Sequence, residues 1–300
     1  MGLYPPIVHV EPDSLVRRLY TNQWYVDATN GDNDSDGNRP EKPLETIAEA
    51  VDRSTNGNMD VINVVEPGHV AEATPIVLNK SFLTVRGWPS QSPFGHSPCT
   101  LVAPTDTAYF TIAAQDVCVR DFTIHGGASW PVINYSPVAW SFRTVVHNVT
   151  FNSGTWGIAQ GGLTAATFVA DAPSHNWSIS DCKFMAGLSL GGVFLMSNGS
   201  WGVIADNFFD TCANAIYANI DCQSQRVQCV RNRILVPSDD QVGRGIYIGT
   251  NAGGWFVADN DANDMIPTTI TNNPYFDQAN LSAWFRNVAG GAGFTELPPA

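Results

Sequence analysis

The chain has 300 residues, of which 44% are hydrophobic and only 14% charged, with a net charge of −13 at pH 7. That length and apolar content supply a sizeable core, in one large all-β domain or two smaller ones. The acidic balance argues against nucleic acid, which needs clustered Lys and Arg, and disfavours anionic membranes and polyanions. With so few charges, the polar surface must come from Asn, Ser, Thr, Asp and Gly, a composition of turns and solvated strands.

Residues 1–22 read as an arm. Tyr4-Pro5-Pro6-Ile7-Val8-His9-Val10-Glu11-Pro12 favours extended backbone, and Tyr4, Ile7, Val8 and Val10 are candidate interface residues because they cannot form a core alone. The opening MGLYPPIVHVEPDS has no basic or apolar leader region, so synthesis without a secretory signal is expected. No apolar run approaches the ~18 residues of a membrane span.

Trp24-Tyr25-Val26 begins a strand, and residues 27–37 form an acidic, turn-rich loop. Within it Asp32, Asp34 and Asp36 match the first half of a Ca²⁺ loop, but Pro43 stands where a bidentate Glu would complete it. A solvated turn is the plain alternative, and otherwise no cofactor is expected. Leu44, Ile47, Ala48 and Val51 then share one face of a short helix near residues 43–54. Such a helix would cover the open end of a β-structure.

From Val85-Arg86-Gly87-Trp88 a repeat becomes visible. It continues as Val119-Arg120-Asp121-Phe122, Val146-His147-Asn148-Val149, Ile179-Ser180-Asp181-Cys182 and Ile204-Ala205-Asp206-Asn207. Val230-Arg231-Asn232, shifted by about one, and Val257-Ala258-Asp259-Asn260 complete it. The aligned column, 88, 122, 149, 182, 207, 232 and 260, has the period of a β-solenoid whose coils bury their apolar faces only by stacking. Residues 88–99 and 157–176 are candidate insertions that lengthen two of the steps. The most regular unit is 201–219.

After Asn260 the pattern fades. Residues 277–288 read as a short helix with Leu281, Trp284, Phe285 and Val288 as its stripe, followed by an extended C-terminal arm. Trp284, Phe285, Phe294 and Leu297 join the candidate interface residues. The six cysteines (99, 118, 182, 212, 222 and 229) form no CxxC pair and read as buried thiols. The six histidines show no ligand-like spacing, so zinc is not expected. Trp177, Trp201 and Trp255 stand five or six residues before the aligned column. They make a row that could stack on sugar rings if exposed, or pack if not. There is neither a GxSxG nucleophile elbow nor a phosphate loop.

The stretch YVDATNGDNDSDGNRPEKPLETIAEAV (25–51) resembles the opening motif of pectate-lyase-like right-handed parallel β-helix proteins. The units VRDFTI, ISDCKF and IADNFF resemble their rungs. The resemblance covers about residues 24–265. It implies an all-β fold: a right-handed parallel β-helix with a short N-terminal capping helix and extended terminal arms. The boundaries expected are 1–22, 23–270 and 271–300. That superfamily holds polysaccharide lyases, glycoside hydrolases, phage tailspikes and non-enzymatic virion proteins.

For an enzyme of this kind the resemblance implies carboxylates or an Arg base with Asp-bound Ca²⁺. The catalytic candidates are Asp206, Asp210, Arg231, Asp239 and Asp240, with Arg233 and Arg244 nearby by rung stacking. Asp239-Asp240 matches the paired Asp of polygalacturonase-like enzymes, but no His follows His175 and no Lys follows Lys183. At rung corners, Asp206, Asn207, Arg231, Asn232, Asp259 and Asn260 also suit a structural polar ladder. The reading adopted is a structural virion protein of a tailed phage, assembled in the host cytoplasm. It would be a trimeric capsid decoration (cement) protein or a tail-associated knob, with other virion proteins as partners. The alternative is a carbohydrate-binding or depolymerising adhesin.

Overall fold

The structure, a computed structural model, describes residues 22–65, 75–88, 90–92, 95–97, 99–103, 107–127, 131–136, 141–160, 163–164, 167–168, 175–185, 188–195, 201–210, 214–218, 225–235, 244–262, 275–278, 281–289 and 293–295. The alternation read in the repeat becomes three stacks of parallel strands, the faces of one coil. On the first face the register runs Gln23, Val61, Thr84, Cys118, Val145, Ser178, Val203, Gln228, Phe256 and Ala283. The ladder therefore begins two coils before the visible repeat and ends one coil after it. Among the described residues the fold is all-β apart from one helix, a right-handed parallel β-helix of the pectate-lyase-like kind.

Side chains on a strand alternate, so one residue in two points inward. The inner column of the first face is Ile62, Val85, Val119, Val146, Ile179, Ile204, Cys229 and Val257, ending at Trp284. The third face contributes Ile76, Phe110, Ile133, Ile158, Val193, Ile216, Ile246 and Tyr275. On the second face Phe151, Phe184 and Phe209 stack with centroids 4.8 and 4.6 Å apart. All of these are buried in a single apolar column. Each such side chain contributes roughly 1.5–3 kcal/mol. No coil could close this core alone.

The first end is capped as the sequence indicated. The helix, Ile47–Arg53, is shorter than the 43–54 expected, because Leu44 instead bridges to Val26 and covers the edge of the first strand. Thr46 caps it, accepting from the Glu49 N–H at 3.2 Å. Ile47, Ala50 and Val51 enter the core. Gly37 needs its φ of +70°, and a Cβ there would strike Leu44.

Several expectations are corrected. Residue 88 does not continue the aligned column. A hairpin (Ser90–Ser92 with Gly95–Ser97) is inserted there, and Cys99 takes the place beside Phe122. The second insertion starts later than 157, since one strand runs Val145–Gln160 before the hairpin of Leu163–Thr164 and Thr167–Phe168. Residues 277–288 are not a helix. They are strands Tyr275–Asp277, Ala283–Phe285 and Asn287–Ala289, forming one more coil. The apparent helical stripe is a period of two broken by a corner at Arg286, whose φ is +50°. Trp284 points inward as the end of the core column, 6% exposed, and so is not an interface residue. The C-terminal arm is a strand in part, because Gly293–Thr295 returns antiparallel on Asn287–Ala289. Tyr4, Ile7, Val8, Val10 and Leu297 lie outside the described residues, as does the side chain of Phe294.

Candidate functional site

From Asp121 onward, the passages from the first face to the second turn on a residue at positive φ followed by an inward one. The turning residues are Asp121, Asn148, Asp181, Asp206, Arg231, Asp259 and Arg286, with φ from 50 to 64°. The residues after them are Phe122, Val149, Cys182, Asn207, Asn232, Asn260 and Asn287, all nearly sealed from solvent. The corner thus separates the polar residues that the sequence grouped together. The asparagines go in and the charges stay out.

Inside, the four asparagines form a continuous ladder. Asn207 donates from Nδ2 to Oδ1 of Asn232 at 3.0 Å, Asn232 to Asn260 at 2.9 Å, and Asn260 to Asn287 at 2.8 Å. Each Oδ1 also accepts the backbone N–H of the coil before it, beginning with Cys182 N–H to Asn207 Oδ1 at 2.9 Å. The second Nδ2 hydrogen of each goes to a carbonyl, those of Ile179, Ile204, Cys229 and Val257. The amide satisfies corner groups that no β-ladder reaches. Asn287 belongs to this ladder too, hidden in the sequence by the helix-like stripe of residues 277–288.

Outside, Asp206 and Arg231 meet as a two-point ion pair at 2.7 and 2.6 Å, and Arg286 pairs with Asp259 at 2.8 Å. The hydrogen bonds that Arg231 donates to Asp206 raise its pKa further, with burial opposing and the charges of Asp206, Asp259 and Asp181 adding to the rise. Arg231 is held as a cation and unsuited to accepting a proton. Asp210 lies half-buried on the second face. Arg233 is there too, its guanidinium 6.0 Å from the Phe208 ring. Asp239 and Asp240 fall outside the described residues.

The tryptophans do not form a row. Trp177 and Trp255 are 1% exposed and sit in the core, whereas Trp201 stands out at 53%. The reason is the corner at φ +64° on Trp201, which turns it outward and leaves inward-facing Gly202 in the Trp177 column. Trp177 fills the space that a Cβ on Gly202 would need, 2.0 Å from its ring. A second aromatic series, Trp156, Phe194, Tyr217 and Tyr247, lies apart from the main core, with successive centroids 4.7, 5.6 and 4.8 Å apart. Its rings are stacked on one another, so their faces are already occupied.

The outer surface of the first face changes character along the coil. Its first half presents Arg86, Arg120, His147 and Ser180 in register after Asn63, which is itself buried. Arg86 donates to Asn63 at 2.7 Å and Arg120 to Asp121 at 2.7 Å. His147 Nδ1 lies 3.0 Å from Ser180 Oγ and 3.3 Å from Asp181 Oδ2. Both contacts use one ring nitrogen, whereas a nucleophilic triad needs the Ser and the carboxylate on opposite nitrogens. The second half is mostly apolar. There the equivalent positions are Ala205, Val230 and Ala258, buried at 2 to 7%, and Phe285, flanked by the column of Val203, the exposed Gln228 and Phe256, which is 45% exposed. The ladder of Asp206, Arg231, Asp259 and Arg286 borders this panel on one side. On the other lie Trp201, Arg226 over its ring at 4.5 Å, Gly254 and Leu281.

Asp32, Asp34 and Asp36 do not close a metal site. Asp32 Oδ1 accepts the Asp34 N–H at 2.9 Å, and Asp36 faces Arg39 at 3.6 Å. Among the described residues no three His, Cys, Asp or Glu side chains gather to hold an ion. The loop is tied instead by Arg53, which donates to Glu49 and to the carbonyls of Ser35 and Asn33. An open depression of about 780 Å³ lies beside it, lined by residues that include Trp24, Asp34, Arg39 and Arg53. Among the described residues no helix is long and apolar enough to cross a membrane.

No protein-family model matches the sequence, and no curated protein matches it. Among solved structures, the fold is similar to the pectate lyase Pel9A, with a TM-score of 0.57 at 12% identity, over 90% of this chain and 77% of that one. A rhamnogalacturonan lyase gives a TM-score of 0.51 at 12% identity, over 92% and 85%. A third, Geobacillus virus E2 ORF18, superposes at 0.40 with 11% identity over 88% and 61%, too loosely to bear on function. The first two likenesses show the β-helix fold, which does not by itself assign an activity.

Proposed function

We propose that the chain is a structural component of a tailed-phage particle, a capsid decoration protein or tail-associated knob, that acts by surface contact rather than by catalysis. The observation that carries this reading is the apolar panel on the second half of the first face. Phe256, Phe285 and Trp201 stand 45 to 53% exposed around Val203, with Ala205, Val230 and Ala258 buried between them at 2 to 7%. Aromatics over small residues, rimmed by charge, suit a dry protein contact. The charges beside the panel are engaged with one another. The experiment is mass spectrometry of density-purified particles made from the genome that encodes this chain. The expected result is a fixed, multiple copy number per particle, and absence from the particles overturns the reading.

One observation favours a second reading, an adhesin that binds or cleaves acidic polysaccharide. Arg86 and Arg120 are neighbours on consecutive coils, with His147 next in line. Incubation with polygalacturonate, followed through new unsaturated or reducing ends and through retention on the immobilised polymer, decides between the two. Cleavage or retention supports the adhesin, and a polymer neither cut nor bound supports the structural protein.

A further inference from the structure

We propose that residues 15–21 of this chain dock in the depression at the capped end of the coil, adding backbone to the free edge of the first strand and setting Arg17 and Arg18 against Asp34. The segment joins its receiving surface directly. Positions up to 21 lie outside the described residues, and Asn22, where they attach, is itself a wall of the depression. The inference is independent of the apolar panel, which lies towards the other end of the coil.

The edge comes first. In a parallel pair, alternate residues direct their backbone groups to opposite sides. Val61 donates its N–H to the Asn22 carbonyl at 3.0 Å, and Val65 donates to that of Val26 at 2.8 Å. Asn22, Trp24 and Val26 therefore bond towards the second coil, whereas Gln23 and Tyr25 face the first end. Tyr25 is served there, its N–H donating to the Gly37 carbonyl and its carbonyl accepting the Leu44 N–H, both at 2.8 Å. Among the described residues nothing takes the N–H or the carbonyl of Gln23, which stands at the depression. An open pair of this kind is where another extended segment adds. A return of about four residues, a common hairpin length, lays Arg18 beside Gln23.

Charge selects the same segment. Residues 23–54 carry eight acidic side chains and three basic ones. At the depression Arg53 is spent on Glu49 and on the carbonyls of Ser35 and Asn33, and Arg39 faces Asp36 at 3.6 Å. Asp34 lines the same space, is exposed, and has no side-chain partner among the described residues. Residues 14–21, SLVRRLYT, carry two arginines and no acid. The one unanswered carboxylate of the depression thus lies within reach of the only adjacent arginines in the chain that precedes it.

The test is chymotrypsin cleavage after Leu19 and Tyr20 of the full chain, read by mass spectrometry against a synthetic peptide of residues 10–24. Docking predicts cleavage roughly tenfold slower than in the peptide, because cutting then waits on local opening. The rate should not change between about 1 and 50 µM protein, as the contact forms within one molecule. Arg17→Glu with Arg18→Glu should remove most of the protection, judged against the peptide of the same altered sequence, and adding Asp34→Lys should restore it. These changes leave the coil itself untouched, which circular dichroism checks. Cleavage at the peptide's rate, protection indifferent to the paired arginine change, or a loss that Asp34→Lys does not restore each overturns the inference. Protection that falls on dilution overturns it too, since the segment would then dock in another copy.

Discussion

Replacing Asn232 by Ala removes the middle of the inner ladder. Its Oδ1 accepts both the N–H and the Nδ2–H of Asn207, at 3.1 and 3.0 Å, and its Nδ2 serves the Ile204 carbonyl at 3.0 Å. Asn207 and Asn232 are 2 and 1% exposed, so these groups have no route to solvent. Two stranded donors and one weakened acceptor, at about 1–3 kcal/mol for each unsatisfied group, give a loss of about 3–5 kcal/mol. Asn207→Ala, at the head of the ladder, strands the Cys182 N–H and takes one donor from the Ile179 carbonyl, and should cost about half as much. Asn148→Ala is the control, because its amide reaches Asp121 at the exposed corner, where losses stay within about 0.5–1 kcal/mol. The assay is urea denaturation, with midpoints shifted in the order Asn232, Asn207, Asn148 at a constant slope. If Asn232→Ala falls within about 0.5 kcal/mol of Asn148→Ala, the ladder is not what holds the corners.

Three further outcomes follow from the geometry. Gly202→Ala should destabilise the fold by about 3 kcal/mol or more, seen as a lowered urea midpoint, because the new Cβ meets the Trp177 ring at 2.0 Å; restoration by Gly202→Ala with Trp177→Leu would confirm the cause. Arg231→Gln should change stability by less than about 1 kcal/mol, since its ion pair with Asp206 is exposed, and a larger loss in the same assay would mean that the outer ladder is structural. Burial raises the thiol pKa of Cys118 to about 11 and of Cys182 to about 12, and moves Cys229 the same way. Above about pH 9 the unfolded chain loses these protons while the folded chain keeps them. Stability should therefore fall as pH rises from 9 towards 11, by about 1.4 kcal/mol per pH unit for each thiol. Cys182→Ala should flatten that slope, and a melting temperature constant from pH 8.5 to 10.5 would contradict the assignment.

Much of the fold was legible because a solenoid writes its core as a period. The aligned column was correct in register from Phe122 to Asn260, and the structure pairs those residues on successive coils. The errors arose where that period was masked. Trp88 imitates a column member because the inserted hairpin separates it from Cys99, the residue that pairs with Phe122. Residues 277–288 imitate a helical stripe because Trp284 and Val288 fall four apart across a corner. The outer surface was less legible. Asp206 and Asn207 are neighbours in sequence, yet the positive φ at Asp206 sends one out and the other in, and only the backbone shows this. Likewise Trp201 leaves the expected tryptophan row because a single left-handed residue inverts its direction. The apolar panel was invisible to a periodic reading, since it is written across four coils, one or two residues at a time.

The most direct test of the account is particle incorporation of surface variants of the first face. Phe256→Lys and Phe285→Lys should fold normally but be lost from purified particles, while Arg120→Gln and His147→Gln are incorporated at the wild-type copy number. Full incorporation of the two Lys variants, with loss of those at Arg120 and His147, would contradict the account and place the working surface on the polar half of the face.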